Sequence, residues 1–212
     1  LPMGGIVIAF KNFRAARGIF GSAWADPWFK YFDQFFGSYY FWRLLRNTLL
    51  INFYDLLFGF PAPILLALLL NELRSNRYKR IVQTVTYMPH FISQVVVCGI
   101  ILDFFSSNGL VNQIIQLLGG QMTIFMQDPK YFRGIYVGSN IWQEVGYSSI
   151  IYLSALSAVD MELYDAAAID GCNRFKRVLH VTLPGIMPTI VIMLILRMGS
   201  MMSLGFEKII LL

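Results

Sequence analysis

The chain alternates between long apolar runs and short polar breaks. Residues 47–70 read "NTLLINFYDLLFGFPAPILLALLL". A helix of about 20 apolar residues crosses a bilayer core of ~30 Å, so this run predicts a first span. Pro61 and Pro63 should kink it, which membrane helices tolerate when neighbours re-satisfy the freed backbone. Residues 81–105 predict a second span, interrupted at Pro89-His90. Residues 133–159 predict a third, and residues 185 to about 205 a fourth, "GIMPTIVIMLILRMGSMMSLG".

The polar breaks differ in kind. Residues 71–80 form a short basic loop, and residues 106–132 a longer one with Gly109, Gly119-Gly120 and Asp128-Pro129. Within it, "LVNQIIQLLGG" has the apolar spacing of a short surface helix. Residues 1–46 are mixed and rich in Trp24, Trp28, Tyr39, Tyr40 and Trp42. Such aromatics favour the membrane–water interface, where Arg43 and Arg46 can snorkel. This stretch is expected to be extracytoplasmic or interfacial and partly helical, leading into the first span.

Composition agrees with an all-α, polytopic membrane protein. The chain is 57% hydrophobic and 14% charged, with mean hydropathy +0.58; soluble domains are nearer one-quarter charged. The basic residues are scattered among apolar helices and form no stripe with aromatic platforms, which excludes a nucleic-acid partner. Cys98 and Cys172 have no metal or disulfide spacing and read as bystanders. Leu1 is not an initiator, and the final "FEKIILL" stops as a new segment begins, so a longer chain is expected.

Charge sets the expected orientation. Arg74, Arg77, Lys79 and Arg80 fill the first loop, and Arg174, Lys176 and Arg177 the loop before the fourth span. The loop between holds only Lys130 before Arg133. Basic residues gather on the cytoplasmic side, which places residues 71–80 and 160–184 there together. Lys11, Arg14 and Arg17 then fall outside, against the rule.

The loop at 160–184 carries more than topology. "ELYDAAAID" is built of helix formers with small faces. Gly171 permits a turn that a side chain would forbid. "NRFKRVLHV" predicts a second short helix with its cations exposed, and Leu183-Pro184 should restrict the chain before the next span. Small residues let another surface come close, and charges fix its register. There is no phosphate-binding loop, no metal cluster and no catalytic pair in the spans, so no hydrolysis is expected of this chain.

This stretch resembles the EAA loop of binding-protein-dependent ABC importer permeases. That pattern is Glu-Ala-Ala, three residues, Gly, nine residues, then Ile-x-Leu-Pro. Here Asp165, Ala166 and Ala167 are followed by Ala168, Ile169 and Asp170, then Gly171, and the motif closes on Val181-Thr182-Leu183-Pro184. Asp165 stands for Glu and Val181 for Ile. "FWRLLRNTLL", "GFPAPILLALLLNELR", "YKRIVQTVTYMPHFIS" and "GFEKIILL" are similar to carbohydrate-uptake permeases, especially those importing complex oligosaccharides.

The resemblance implies a six-helix core, with residues 47–212 as its incomplete transmembrane domain and a further span on either side. It implies a bacterial or archaeal cytoplasmic membrane and a second permease subunit. Two ATPase subunits, holding ATP and Mg, and an extracytoplasmic solute-binding protein complete the assembly; no cofactor is expected in this chain. Asp165, Ala166, Ala167, Asp170, Gly171, Arg174, Leu183 and Pro184 would couple to the ATPase.

Polar residues inside spans are functional candidates. Asn140, Glu144 and Ser148 are spaced four apart and share one helix face. With Gln143 and Tyr147 beside them, this face suits a sugar pathway, or equally hydrogen-bonded packing between helices. Arg197 is expected to pair with Glu144 or Asp103, or to face water. Asp55 and Tyr54 are open between pathway and packing. His90 should bond a carbonyl freed at Pro89, and the methionines at 198–202 read as adaptable packing. The reading is an oligosaccharide importer permease. The alternatives are a permease for another solute, such as a peptide or polyamine, and a membrane scaffold.

Overall fold

The computed structural model describes residues 2–73, 75–201, 203 and 205–212. Arg74 and Met202, named above, lie outside the described residues. Among the described residues the chain is helices and turns, with one isolated antiparallel bridge between Lys11 and Trp24 and no strand. Two units form, Leu1–Leu49 and Leu50–Leu212.

The first unit is held by aromatics. Phe10 and Phe32 rings lie 5.2 Å apart, with Phe29 edge-on to both. Lys11 is buried: its Nζ sits 4.7 Å from the Trp24 ring centroid and donates to Ile19 O at 3.0 Å. One of the three cations that opposed the charge rule is therefore a folded-in side chain. Trp24, Trp28, Tyr39, Tyr40 and Trp42 are exposed, as an interfacial role requires.

Two helices, Tyr39–Asn71 and Arg174–Gly199, are long and apolar enough to cross a membrane. Both pass through a π turn immediately before a proline: Asp55–Gly59 before Pro61, and Val178–Thr182 before Pro184. A proline ring would strike the carbonyl four residues back. The wider π turn relieves that clash, so each helix continues. Leu183-Pro184, expected to restrict the chain before the fourth span, does not interrupt it: the short helix that begins at Arg174 and the fourth span are one run, which stops at Gly199.

The second span departs further from expectation. Pro89 closes the helix Asn76–Tyr87 in a 3-10 turn, Ile92 is extended, and Ser93 caps a new helix, Gln94–Phe104, accepting from Val96 N. The two halves are bent by 102°. A stop signal at Pro89 and a restart signal at Ser93, four residues on, make a break rather than a kink.

The central helix, Pro129–Ser157, starts four residues before Arg133 because Asp128 caps it, accepting from Lys130 N, with Pro129 at the first position. At 29 residues it measures roughly 44 Å, yet its polar positions keep it below the apolarity of the two spans. Its neighbours pack on its apolar positions. Ile51 packs with Tyr136 and Val137 at one end, and Ile64 and Ala67 with Tyr152, Leu156 and Ile186 at the other. The first long helix therefore runs parallel to it and the last antiparallel. Gly146 lets the Asn76–Tyr87 helix approach, since a Cβ there would overlap the Thr86 carbonyl. The end of the first long helix, at Asn71, and the end of the central helix, at Ser157, thus lie on the same side. The 106–128 loop lies on the other, stitched by Asn112 to Ser106 O and to both polar backbone atoms of Thr123.

Candidate functional site

Two sites follow from this arrangement. The first lies between the long helices. The π turn carries Asp55, whose carboxylate is ion-paired with Arg197 and accepts from Asn140 Nδ2 at 3.1 Å. Arg197 therefore pairs with neither Glu144 nor Asp103. Asp103 is exposed at the end of the Gln94–Phe104 helix, whereas the widened turn presents a buried Asp55 to the last helix.

Glu144 instead meets His90, Oε2 to Nδ1 at 3.0 Å. The His90 ring stacks on Tyr147 with centroids 3.8 Å apart and planes 1° from parallel. His90 was expected to bond a freed carbonyl; the break at Ile92 swings it toward the central helix instead.

A cavity of about 480 Å³ opens beside this cluster, lined by Asp55, Asn140, Glu144, Ser148, Tyr152 and Arg197 among others. That volume lies within the range of small-molecule sites. Its wall offers carboxylate and amide groups for hydroxyls and two aromatic residues, Phe60 and Tyr152. The structure thus divides the predicted pathway set. Asn140, Glu144 and Ser148 line the cavity; Gln143 is buried and Tyr147 engages His90, one helical step away. A second cavity, of about 300 Å³, shares Asp55, Asn140, Arg197 and Ser200 with the first and adds Asn52, Gln94 and Lys208. Asp55, Arg197 and Lys208 are the residues whose joint role the sequence reading missed. Their signal was there, as charges inside apolar stretches, but their partners are far apart along the chain.

The second site is the motif loop. Asp160 caps Met161–Ile169, accepting from Glu162 N at 3.0 Å. The helix ends in a Schellman turn: Cys172 N donates to Ala167 O and Gly171 N to Ala168 O, with Gly171 at φ 73°. Asn173 then caps the next helix through Lys176 N. Tyr164 donates to Thr182 Oγ1 at 3.1 Å, tying the helix Met161–Ile169 to the π turn. Asp165, Ala166, Asp170, Gly171, Arg174 and Pro184 are exposed; Ala167 is buried and Leu183 half-buried. The loop also presents Ile169 at 87% exposure and Phe175 at 73%. These apolar side chains among the charges make a surface that another protein could cover.

Residues 59–206 match the family of binding-protein-dependent transport system inner membrane components. The chain belongs to this family, and its apolar helices fit that location. It is 48% identical over 210 residues to protein LplB of Bacillus subtilis, covering 99% of this chain and 65% of that protein. It is 44% identical over 213 residues to the polygalacturonan/rhamnogalacturonan transport system permease protein YteP of the same organism, covering 100% of this chain and 66% of that one. The chain thus spans about two thirds of these relatives' length. Among solved structures, a bacterial ABC transporter involved in the import of the acidic polysaccharide alginate superposes with TM-score 0.87 at 42% identity, over 100% of this chain and 70% of that chain. The same transporter bound to an alginate pentasaccharide-loaded periplasmic protein gives 0.89, over 100% of this chain and 69% of that chain.

Proposed function

We propose that this chain is the membrane-spanning permease subunit of an ATP-driven importer that carries an oligosaccharide across the cytoplasmic membrane. The observation that carries this reading is the open cavity between the long helices, where Asp55, Asn140, Glu144, Ser148 and Arg197 stand together in a largely apolar wall. The names of its relatives support a saccharide cargo. Lys208, buried beside the adjoining cavity with no hydrogen-bond partner among the described residues, argues against a cationic solute such as a polyamine.

In this reading a second permease subunit completes the pathway, and an extracytoplasmic solute-binding protein delivers the sugar. Two ATPase subunits hold ATP and Mg. The loop around Asp165, Ala166, Ala167, Asp170, Gly171 and Arg174 docks on one of them, with Ile169 and Phe175 as apolar anchors. Movement there has a route inward. The Tyr164–Thr182 bond joins the loop to a helix that is continuous from Arg174 to Gly199. A shift at its base is carried roughly 35 Å along the rod to Arg197, in the cavity wall.

The test is reconstitution of the full-length subunit with its partners in proteoliposomes. ATP-dependent, binding-protein-dependent accumulation of an oligosaccharide is expected. An assembled complex that hydrolyses ATP yet moves peptides and no saccharide would overturn the reading.

A further inference from the structure

Lys208 carries a buried charge without a partner among the described residues. It lies in the short helix Phe206–Leu211, is 4% exposed, and its Nζ finds no hydrogen-bond acceptor there. The Tyr136 ring lies 5.4 Å from Nζ, a face that attracts a cation without neutralising it. Lys208 lines the smaller cavity together with Asn52, Gln94, Ser200 and Ser203. Asp55 and Arg197 are in the same wall and satisfy each other. Glu207, next in sequence, also lines it, but its side chain is exposed and makes no bond to the ammonium.

An ammonium taken out of water without a counter-charge is costly, so a buried one calls for an anion. Asp55 and Arg197 offset each other and the Glu207 side chain is exposed, so the ammonium of Lys208 is the buried charge in this wall with no partner among the described residues. Such a wall suits a monoanion; a phosphoryl dianion would leave a charge uncompensated. The amides and hydroxyls around it match a polyhydroxylated ligand. We infer that the cavity at Lys208 is a subsite for the carboxylate of a uronic-acid-containing oligosaccharide, with Lys208 as its counter-ion. The inference rests on the saccharide-importer reading and narrows the cargo to acidic sugars. At about 300 Å³ the cavity is at the small end of ligand sites, right for one part of a longer ligand.

The test measures binding to the purified full-length permease complex without its solute-binding protein, whose own selectivity would mask the effect. The probes are radiolabelled trigalacturonate, its neutral methyl ester and maltotriose, followed by equilibrium dialysis. Wild type should bind the acid about tenfold or more tightly than the ester, the loss expected for one charge-assisted bond. Lys208→Met should bind both alike, and Lys208→Arg should keep the preference. Should Lys208→Met fail to assemble, the wild-type and arginine arms still decide. Equal binding of acid and ester by wild type, or a preference that survives Lys208→Met, would overturn the inference. Binding of maltotriose alone would also overturn it while leaving the saccharide reading intact; binding of no saccharide at all would sink both.

Discussion

Arg197, near the end of the last long helix, is ion-paired with Asp55 in the π turn of the first. Asn140 of the central helix holds the other carboxylate oxygen, so one side chain ties three helices together. Asp55 is 6% exposed at its side chain and Arg197 42%. Removing one partner of a fully buried pair costs about 3–5 kcal/mol; with Arg197 open to the cavity, Asp55→Asn should cost about 1–3 kcal/mol. Thermal unfolding of the full-length protein in detergent reads this. Adding Arg197→Met should restore part of the loss, because the orphaned charge is then gone. Strictly additive losses would show that the pair is not coupled.

Gly171 tests the motif loop. Its φ of 73° lies where an L side chain costs about 1–2 kcal/mol. Gly171→Ala should leave membrane insertion unchanged and lower coupled uptake several-fold, while Gly171→Asn, which tolerates this backbone, should retain more activity. Equal uptake by Ala, Asn and wild type would remove the turn from the coupling account.

Gly146 tests the packing around the central helix. Any side chain there meets Thr86 backbone, so Gly146→Leu must push the Asn76–Tyr87 helix away. Complex yield should fall sharply. Gly99→Ala, where a Cβ meets nothing within 4 Å, should leave yield unchanged. Normal yield for Gly146→Leu would contradict the observed approach.

How much of this was legible in the chain depends on distance. The motif loop was readable because its signals are local: the helix formers of residues 162–170 and Gly171 at the turn act within a few residues of each other, and the structure adds the Asp160 and Asn173 caps, equally local but not weighed. The short helix at Leu110–Leu117 was legible for the same reason. The start at Asp128-Pro129 was equally local and was read as loop, because turn chemistry and helix capping use the same residues. The 102° break was half legible: Pro89 announced a stop, but Ser93 as a restart was not weighed. What no local pattern could give was pairing. Asp55 with Arg197, and His90 with Glu144, are joined only by the way helices stack. The face at Asn140, Glu144 and Ser148 followed from helical period alone, whereas Tyr147 was lost to His90 because a break on another element brings that ring across.

Orientation has its own check. Cysteines at Arg77 and Lys176 should be labelled from one side of the membrane and a cysteine at Gln116 from the other, in a background with Cys172→Ser. The three positions are exposed, and the first long helix and the central helix, which lead into the two basic loops, end on the same side. Labelling of Arg77 and Lys176 from opposite sides would overturn the arrangement.

The central claim is that the Asn140, Glu144 and Ser148 face lines the route taken by the sugar. Ser148→Cys tests it most directly, because the change is nearly isosteric and Ser148 lies in the wall of the larger cavity. In the reconstituted complex, with Cys98 and Cys172 replaced by serine, a charged water-soluble thiol reagent should modify this cysteine, and transported oligosaccharide should slow the reaction. Gln143→Cys, one step round the helix and buried, should stay unmodified. A cysteine at 148 that is inert, or that reacts at the same rate with and without saccharide while uptake proceeds, would contradict the account.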